Sequence, residues 1–387
     1  MERLRKTAGI LLTVLEIIML LFAAGTVIPE LPVFGSVANF VTVGFQHLWL
    51  PLSAAVFLTA LLTLILSRRR RAKHAADAVM SFITLALAVI TALDLAAAVR
   101  SAGVQPNLFP VKEDVSSVTT ETEVYTKSAS GDVLLNVYHV DDGKTGKPVM
   151  IFIHGGGWIF GSREDHEYYS KVFALSGYVV ISADYDVSTK ETHLASSTEA
   201  QLTEAFAWVR KNAARYGGDC GKLYVTGGSA GGNLAIDISF KINSGVYSTS
   251  ADGTELPKVK AVSVTFPVCD PADFYRNSDL VFSGTARNMA FCYTGAAPEE
   301  DPEIYRSVTP VNFLTKDAPA VNILVGSTDT LVPPGPTYEL AQAMNGIGAE
   351  CQVITIPRGN HMFEMADGGM GCNAYLQTSL RWFEQHS

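Results

Sequence analysis

Residues 223–235 read Leu223-Tyr-Val-Thr-Gly-Gly-Ser229-Ala-Gly-Gly-Asn-Leu-Ala235, a short apolar strand pattern that runs directly into a helical pattern through Gly-x-Ser-x-Gly. A sharp turn between a strand and a helix lifts the serine hydroxyl out of the sheet, and small neighbours let that turn close. The positive end of the helix also faces any negative charge that develops beside the serine. Alone, the motif is equally a glycine-rich turn with a capping serine. In this setting it predicts that Ser229 is a nucleophile.

A second motif, His154-Gly-Gly-Gly-Trp158, follows the apolar run at residues 149–153. A backbone with three successive glycines can approach a substrate oxygen closely and donate N–H groups to it. Donors set in advance where an oxyanion forms are often the largest single contribution to catalysis. His154 precedes the serine in the chain and comes straight after a buried strand, so we predict that it holds this loop and is not the catalytic base.

A nucleophilic serine needs a base, and the base needs an orienting carboxylate. In chains with this turn, the acid and then the histidine follow the serine. Downstream of Ser229 the histidines are His361 and His386, and His386 lies in a tail that we expect to fray, so we predict His361 as the base. For the acid we predict Asp329, which comes just after an apolar run. Asp270 also follows such a run and is the main rival, ahead of two other aspartates, Asp273 and Asp317.

The order of strand and helix patterns after residue 105 predicts an α/β sheet. Two runs alternate apolar and polar residues, as a half-buried antiparallel pair does: 118–126 and 133–140. Six nearly continuous apolar runs suit strands that are buried on both faces of a mostly parallel sheet: 149–153, 178–183, 223–226, 259–266, 321–325 and 351–356. Helical patterns lie between and after them: 198–216, 230–241, 337–345 and 373–385. Open α/β sheets place their sites at the carboxyl ends of the strands, where the predicted residues lie.

Four segments of this part resemble the α/β-hydrolase esterases of the hormone-sensitive-lipase-like and related carboxylesterase group. They are the His154–Trp158 motif, the serine motif, Asp329-Thr-Leu-Val-Pro333 and Gly359-Asn-His-Met-Phe363, and the resemblance covers about residues 117–387. It implies an α/β-hydrolase fold, with a mostly parallel eight-stranded sheet flanked by helices. It also implies a Ser229–Asp329–His361 triad, with the N–H groups of Gly156, Gly157 and Ala230 as the oxyanion hole.

The sequence departs from that group in two places. Asp184-Tyr-Asp-Val-Ser188 stands where the group often has Asp-Tyr-Arg-Leu-Ala-Pro, and the serine motif begins with Gly-Gly where the group has Gly-Asp. We interpret Asp184 as a structural residue. These differences leave the subgroup open, and with it the preference for the acyl chain.

Three apolar runs in the first hundred residues are each long enough to cross the ~30 Å hydrocarbon core of a bilayer as a helix. They are residues 8–28, 48–66 and 75–99. The first exceeds the 7–15 residues of a signal-peptide core and two more follow, so we predict a retained anchor. Glu16 lies in mid-span, where a membrane acid is either a polar functional site or, as we favour here, a packing residue. The domain limits that follow are 1–104 for the membrane anchor and 105–387 for the catalytic domain.

Basic clusters at the start of the chain and at residues 68–73 predict the orientation, because such clusters stay on the cytoplasmic side. Three crossings satisfy both clusters and place the catalytic part outside the cytoplasm, in an integral protein of the cell membrane. The intervening residues 31–47 are apolar enough for an interfacial or re-entrant segment. If they crossed fully, the four arginines at 68–71 would face outward, so we reject a fourth span.

Charge and cysteine content narrow the classes of function. The formal net charge of the chain is −9, and residues 1–100 hold nine Lys or Arg against five Asp or Glu, so the remainder carries −13. This acidic part is a poor candidate for binding nucleic acid, which needs a basic surface. The five cysteines show no zinc spacing, and a Cys269–Cys292 disulfide stays open. We predict no metal and no organic cofactor, and the oligomeric state stays open.

The function predicted from these patterns is a serine hydrolase that cleaves carboxylic esters with short to medium acyl chains through an acyl-enzyme. The substrate would be a small-molecule or envelope-derived ester. An acyltransferase or a peptidase could use the same triad, and a membrane-tethered binding protein without activity is a further alternative. Aromatic residues between 270 and 310 are expected to line or cover the acyl pocket: Phe274, Tyr275, Phe282, Phe291, Tyr293 and Tyr305.

Overall fold

A computed structural model describes residues 2–66 and 71–387. Four helices precede the sheet: α1 (Glu2–Val27), α2 (Phe34–Thr42), α3 (Gln46–Leu66) and α4 (Arg71–Ser101). Three stretches of them are long and apolar enough to cross a membrane: Gly9–Val27, Gln46–Leu66 and Arg71–Ser101. The three predicted runs thus form the three long helices. Residues 67–70, which carry most of the basic cluster used for the orientation, lie outside the described residues.

The predicted interfacial segment, residues 31–47, contains the nine-residue helix α2 and the turn into α3. In the first long helix, Glu16 is buried and lies beside Asp77 of α4. The Thr13 hydroxyl donates a hydrogen bond to the same aspartate at 3.3 Å. The acidic neighbour of Glu16 therefore comes from another helix, which the pattern of the first run could not indicate.

One eight-stranded sheet forms the centre of the remainder, in the order β1-β2-β4-β3-β5-β6-β7-β8. The strands are β1 (Thr119–Ser128), β2 (Gly131–His139), β3 (Lys147–Ile153), β4 (Val179–Ala183), β5 (Gly218–Gly228), β6 (Val259–Thr265), β7 (Ala320–Gly326) and β8 (Cys351–Ile356). The first two pair antiparallel, β2 joins β4 antiparallel, and all later pairs are parallel. The predicted fold class is confirmed, and the eight predicted runs are its eight strands.

Eight helices flank the sheet, and they include the four that the sequence patterns predicted. They are α5 (Glu167–Leu175), α6 (Ala195–Asn212), α7 (Ala230–Ser244), α8 (Pro271–Tyr275), α9 (Ser283–Thr294), α10 (Pro302–Ser307), α11 (Gly335–Gly346) and α12 (Met370–Gln385). One apolar core holds residues of α6, α7 and α11, and the other holds residues of α5 and α12. The strands between these layers are buried on both faces, which is why their sequences are continuously apolar.

The last turns of α4 belong to the second core. Leu95 and Val99 are buried there among residues of the sheet and of α12. Asp94, one position before them, pairs with Arg358 in the loop after β8. The apolar helix that reaches the globular part is therefore packed into it and does not end in a free linker. All five cysteines are free, so the Cys269–Cys292 disulfide that the sequence left open does not form.

Candidate active site

Ser229 occupies the turn between β5 and α7, as its motif predicts. Its backbone has φ 56° and ψ −123°, a conformation that non-glycine residues seldom adopt, and its N–H donates to the carbonyl oxygen of Thr265 at 3.0 Å. The motif needs a glycine at position 231, two residues after the serine, because a Cβ there would collide with the carbonyl oxygens of Ile153 and His154. Helix α7 therefore starts against the end of β3 and leaves the serine side chain half-exposed at the edge of the sheet.

His361 lies between Ser229 and Asp329, and the three side chains form one chain of hydrogen bonds. His361 Nε2 is 3.0 Å from Ser229 Oγ, and His361 Nδ1 is 2.8 Å from Asp329 Oδ2. The other oxygen of Asp329 accepts the backbone N–H groups of Leu331 at 3.0 Å and Val332 at 2.8 Å. Because the carboxylate can only accept, it holds the proton of the imidazole on Nδ1 and leaves Nε2 as an acceptor for the serine hydroxyl. The structure brings together the three residues that the sequence singled out.

The rival acid, Asp270, caps a helix and does not contact His361 in the described structure. Its carboxylate accepts the backbone N–H groups of Ala272 at 2.8 Å and Asp273 at 3.0 Å, and so caps the first turn of α8. Asp184 likewise accepts the backbone N–H and the guanidinium of Arg163, each at 2.6 Å. These contacts agree with the structural role that we predicted for Asp184.

The three glycines after His154 pass beside the serine, and Gly156 and Gly157 line a cavity together with Ser229 and His361. The cavity measures about 140 Å³. Gly156 has φ 104°, a left-handed conformation that favours glycine. Ala230 is the first residue of α7, where backbone N–H groups have no partner within the helix. Gly156 and Gly157 therefore lie on the wall of the cavity that Ser229 also lines, and Ala230 begins the helix directly after that serine, at the positive end of the helix dipole.

His154, directly before the three glycines, is fully buried. Its ring stacks on Tyr185 with centroids 4.1 Å apart, and its Nδ1 lies 2.8 Å from the carbonyl oxygen of Gly155. The hydroxyl of Tyr185 donates to the carbonyl oxygen of His154 at 3.1 Å. Burial lowers the pKa of His154, so the ring stays neutral. These contacts fit the loop-holding role that we predicted for it.

Three titratable residues of the cavity wall escaped the sequence analysis: Asp165, His166 and Glu364. Burial, with the nearby charge of Asp329, raises the pKa of Glu364 to about 8. Within the described residues its Oε2 has no hydrogen-bond partner, and the hydroxyl of Tyr169 donates to its main-chain oxygen. Burial also lowers the pKa of His166, so Glu364 and His166 are both held in their neutral forms. The position of Glu364, three residues after His361, is the one signal that could have drawn attention to it.

The expectation for the aromatic stretch was wrong. The one residue between 270 and 310 on the described cavity wall is Met289, which is not aromatic. Tyr293 instead stacks on Trp158 with centroids 4.5 Å apart, and both rings are buried in the core with Phe274. Burial of these rings in the core leaves Met289 as the side chain that this stretch contributes to the described cavity wall. Within residues 2–66 and 71–387, no group of three or more His, Cys, Asp or Glu side chains could hold a metal ion.

Comparison with known proteins gives a family for this arrangement. The BD-FAE family model matches residues 135–344, just over half of the chain. Among curated proteins, the chain is 28% identical over 244 residues to Esterase LipC of Mycobacterium tuberculosis, which covers 61% of this chain and 58% of that protein. It is 25% identical over 238 residues to Esterase LipQ of the same organism, and that alignment covers 60% of this chain and 55% of LipQ. The chain thus aligns with a little over half the length of these relatives.

Solved structures share the fold. A butyrate-bound thermophilic esterase from Thermogutta terrifontis superposes with a TM-score of 0.57 at 24% identity, covering 70% of this chain and 95% of that one. A truncated carbohydrate esterase from gut microbiota gives 0.58 at 23% identity, covering 71% and 98%. At these identities the likeness shows the α/β-hydrolase fold alone, over about 70% of this chain.

Proposed function

Because the chain belongs to the BD-FAE family, we propose that it hydrolyses carboxylic esters through an acyl-enzyme on Ser229. The observation that carries the proposal is the hydrogen-bonded series from Ser229 Oγ to His361 and on to Asp329. All three glycines of the His154–Trp158 motif line the same cavity. The relatives named esterases supply the reaction class, which we extend to this chain.

In this mechanism Ser229 Oγ attacks the ester carbonyl carbon while His361 Nε2 takes the hydroxyl proton. Asp329 keeps the imidazole in the required tautomer and stabilises the imidazolium that forms. The N–H groups of Gly156, Gly157 and Ala230 bind the negative oxygen of the tetrahedral intermediate. His361 then protonates the departing alcohol, which leaves the acyl group on Ser229. A water molecule, deprotonated by the same histidine, releases the carboxylic acid and restores the serine.

We assign short acyl chains to this site because of the size of the cavity. A volume of about 140 Å³ is close to that of an engineered apolar cavity of roughly 150 Å³ that holds benzene. An acyl group of up to about six carbons fits such a space. The Thermogutta terrifontis esterase has been solved with propionate and with butyrate, which supports the same range here.

For the whole chain we propose a membrane anchor at residues 1–104 and a catalytic domain at 105–387. The three long apolar helices support the anchor. The basic residues near the start of the chain and between 68 and 73 favour the cytoplasmic side, which places the catalytic domain outside it, on the cell membrane. The substrates within reach there are small-molecule or envelope-derived esters.

Replacing the nucleophile tests the proposal. Ser229→Ala should lower the turnover of p-nitrophenyl acetate at least about 10⁴-fold, because the loss of one triad member removes the acyl-enzyme route. A fluorophosphonate probe should label the unaltered protein and leave the variant unlabelled. Ser162→Ala, at a loop serine outside the cavity, is the matched control and should keep both properties. Turnover retained by Ser229→Ala would disprove the assignment.

A further inference from the structure

We propose that the catalytic cavity opens at the surface of the bilayer and that its substrate is an ester whose alcohol part is anchored in the membrane. The proposal rests on the ester-hydrolase function given above and adds the class of substrate. It depends on how the loops that carry Asp329 and His361 are attached to the membrane helices.

The loop that carries His361 is held by residues from two of those helical segments. Arg358 pairs with Asp94 near the end of α4. Asn360, directly before the histidine, donates its amide to the carbonyl oxygen of Ser36 in α2 at 2.8 Å. Because both contacts lie within three residues of His361, the loop that carries the base is held directly by α2 and by the end of α4.

Helix geometry gives the distance of the His361 loop from the hydrocarbon core of the bilayer. Gln46, where α3 begins its apolar run, donates its side-chain amide to the carbonyl oxygen of Ala88, so these two residues lie at one level. Taking Gln46 and Ala88 as the edge of the hydrocarbon core shortens the third crossing relative to the predicted run 75–99. Asp94, six residues further along α4, then lies about 9 Å beyond that edge at ~1.5 Å per residue. The polar headgroup layer on each side of the hydrocarbon core is roughly 5–8 Å thick. The loop of His361 is therefore expected at the outer edge of the headgroups.

Two exposed apolar pairs flank α2 at this level. Leu280 is 70% exposed and precedes Val281 and Phe282, whose ring packs on Phe40 of α2 with centroids 5.5 Å apart. The second pair is Leu108 and Phe109, beside the residues that join α2 to α3. Phe109 is 65% exposed. Apolar side chains exposed next to membrane-spanning helices are placed to enter the bilayer interface.

Apolar residues line the cavity next to the contact between α2 and the loop after β7. Leu331 lines the cavity, and the hydroxyl of its neighbour Thr330 donates to the carbonyl oxygen of Ser36 at 3.1 Å. Met362 and Phe160 line the cavity and are themselves exposed. A molecule at the interface can thus place a short acyl group in the cavity while its long alcohol chain stays in the bilayer.

The test compares two acetates with the full chain reconstituted in phosphatidylcholine nanodiscs. Hexadecyl acetate partitions into the bilayer, and p-nitrophenyl acetate stays in water. We expect Leu280→Asp and Phe109→Asp each to lower the ratio of the rate on hexadecyl acetate to that on p-nitrophenyl acetate about tenfold, which corresponds to about 1.4 kcal/mol. The matched control is Val246→Asp, which should keep the ratio. Val246 is 55% exposed and follows the end of α7 opposite Ser229, about 22 Å along that helix.

The outcomes separate this inference from the proposed function. If p-nitrophenyl acetate is hydrolysed and hexadecyl acetate is not, the membrane-anchored substrate is wrong and the ester hydrolase stands. The same holds if Val246→Asp lowers the ratio as much as Leu280→Asp does. If neither acetate is hydrolysed by the unaltered chain, the proposed function itself fails. Fluorophosphonate labelling of Ser229 reports an intact site in each variant, and Leu280→Ser and Phe109→Ser replace any aspartate variant that does not label.

Discussion

The loop that carries His361 is held from two sides, and the two sides are built differently. On the sheet side, the N–H of Thr328 after β7 donates to the carbonyl oxygen of Gly359 after β8 at 3.0 Å, and Asp329 reaches the imidazole. On the side of the proposed membrane anchor, called the membrane side below, α2 and α4 contact the same loop from positions more than 260 residues earlier in the chain. The sheet side carries the catalytic residues, and the contacts of the membrane side reach the loop without contacting those side chains. The two sides should therefore differ strongly in how much activity depends on them.

The largest effect is expected on the sheet side, at Asp329. Asp329→Asn keeps the shape but turns the acceptor into an amide that can donate, which favours the wrong tautomer of His361. In a serine protease the equivalent change costs about 10⁴-fold in kcat, and we expect a similar loss for short p-nitrophenyl esters. The control is Asp270→Asn, at the rival aspartate that caps α8. It should lower stability by about 1 kcal/mol or less and leave kcat within about threefold. Equal losses from the two variants would contradict the choice of acid.

The second effect concerns stability and not the rate, and it is expected at Glu364, three residues after His361 in the same loop. Its folded-state pKa of about 8 lies above the ordinary value of 4.5, so the folded protein keeps a proton that the unfolded chain releases. Stability therefore falls as the pH rises from about 4.5 to about 8, and it is level above that range. Glu364→Gln removes the titrating group, so it should gain stability relative to the unaltered protein between pH 5 and pH 8, on the order of a few kcal/mol.

Urea unfolding at pH 5 and pH 8 measures this difference. Glu350→Gln is the control, because that carboxylate is 65% exposed and pairs with His386 at the surface. Its stability difference from the unaltered protein should change little with pH. If the stability difference between Glu364→Gln and the unaltered protein is also independent of pH, then Glu364 is ionised in the folded state and adds a charge to the cavity wall.

How far the sequence predicted this site depends on whether the signal is local. Ser229 and His361 each lie in a motif that directly follows a strand, and strand patterns in a continuously buried sheet are easy to recognise. Asp329 and Asp270 both follow strands, so the pattern alone left them as rivals. The side-chain contacts separate them, because one reaches His361 and the other caps α8.

What the sequence could not predict depends on contacts between distant segments. Aromatic side chains between 270 and 310 indicate burial but not its direction, and Tyr293 lies against Trp158 in the core and not on the cavity wall. The raised pKa of Glu364 arises first from burial and then from the charge of Asp329, and among the residues around it is Tyr169 of α5, almost 200 residues earlier, which bonds to its main-chain oxygen. Helix α2 has no motif of its own, and its role comes from where the chain places it.

The smallest effect is expected on the membrane side, at the pair Asn39 and Thr328. The amide of Asn39 donates to the hydroxyl of Thr328 at 2.7 Å, and that hydroxyl donates to the carbonyl oxygen of Gly359 at 3.1 Å. Thr328→Val keeps the shape and removes both hydrogen bonds, whereas Thr328→Ser keeps them. A hydrogen bond of this kind contributes about 0.5–1.5 kcal/mol, so we expect Thr328→Val to lower kcat about three- to tenfold, with KM little changed and Thr328→Ser near the unaltered value.

Asn39→Ala should lower kcat by less than Thr328→Val does, because it removes one of the two hydrogen bonds. The double variant should lose no more than Thr328→Val alone, since the hydroxyl that Asn39 contacts is then already absent. Thr59→Val is the control within the proposed anchor, because among the described residues its exposed hydroxyl donates to the carbonyl oxygen of Ala55 in its own helix. Additive losses in the double variant would show that Asn39 acts through another contact, and α2 would then be a neighbour of the base loop and not its support. A coupled loss would show that a segment from the membrane anchor sets the position of the acid and the base, which the catalytic motifs alone do not indicate.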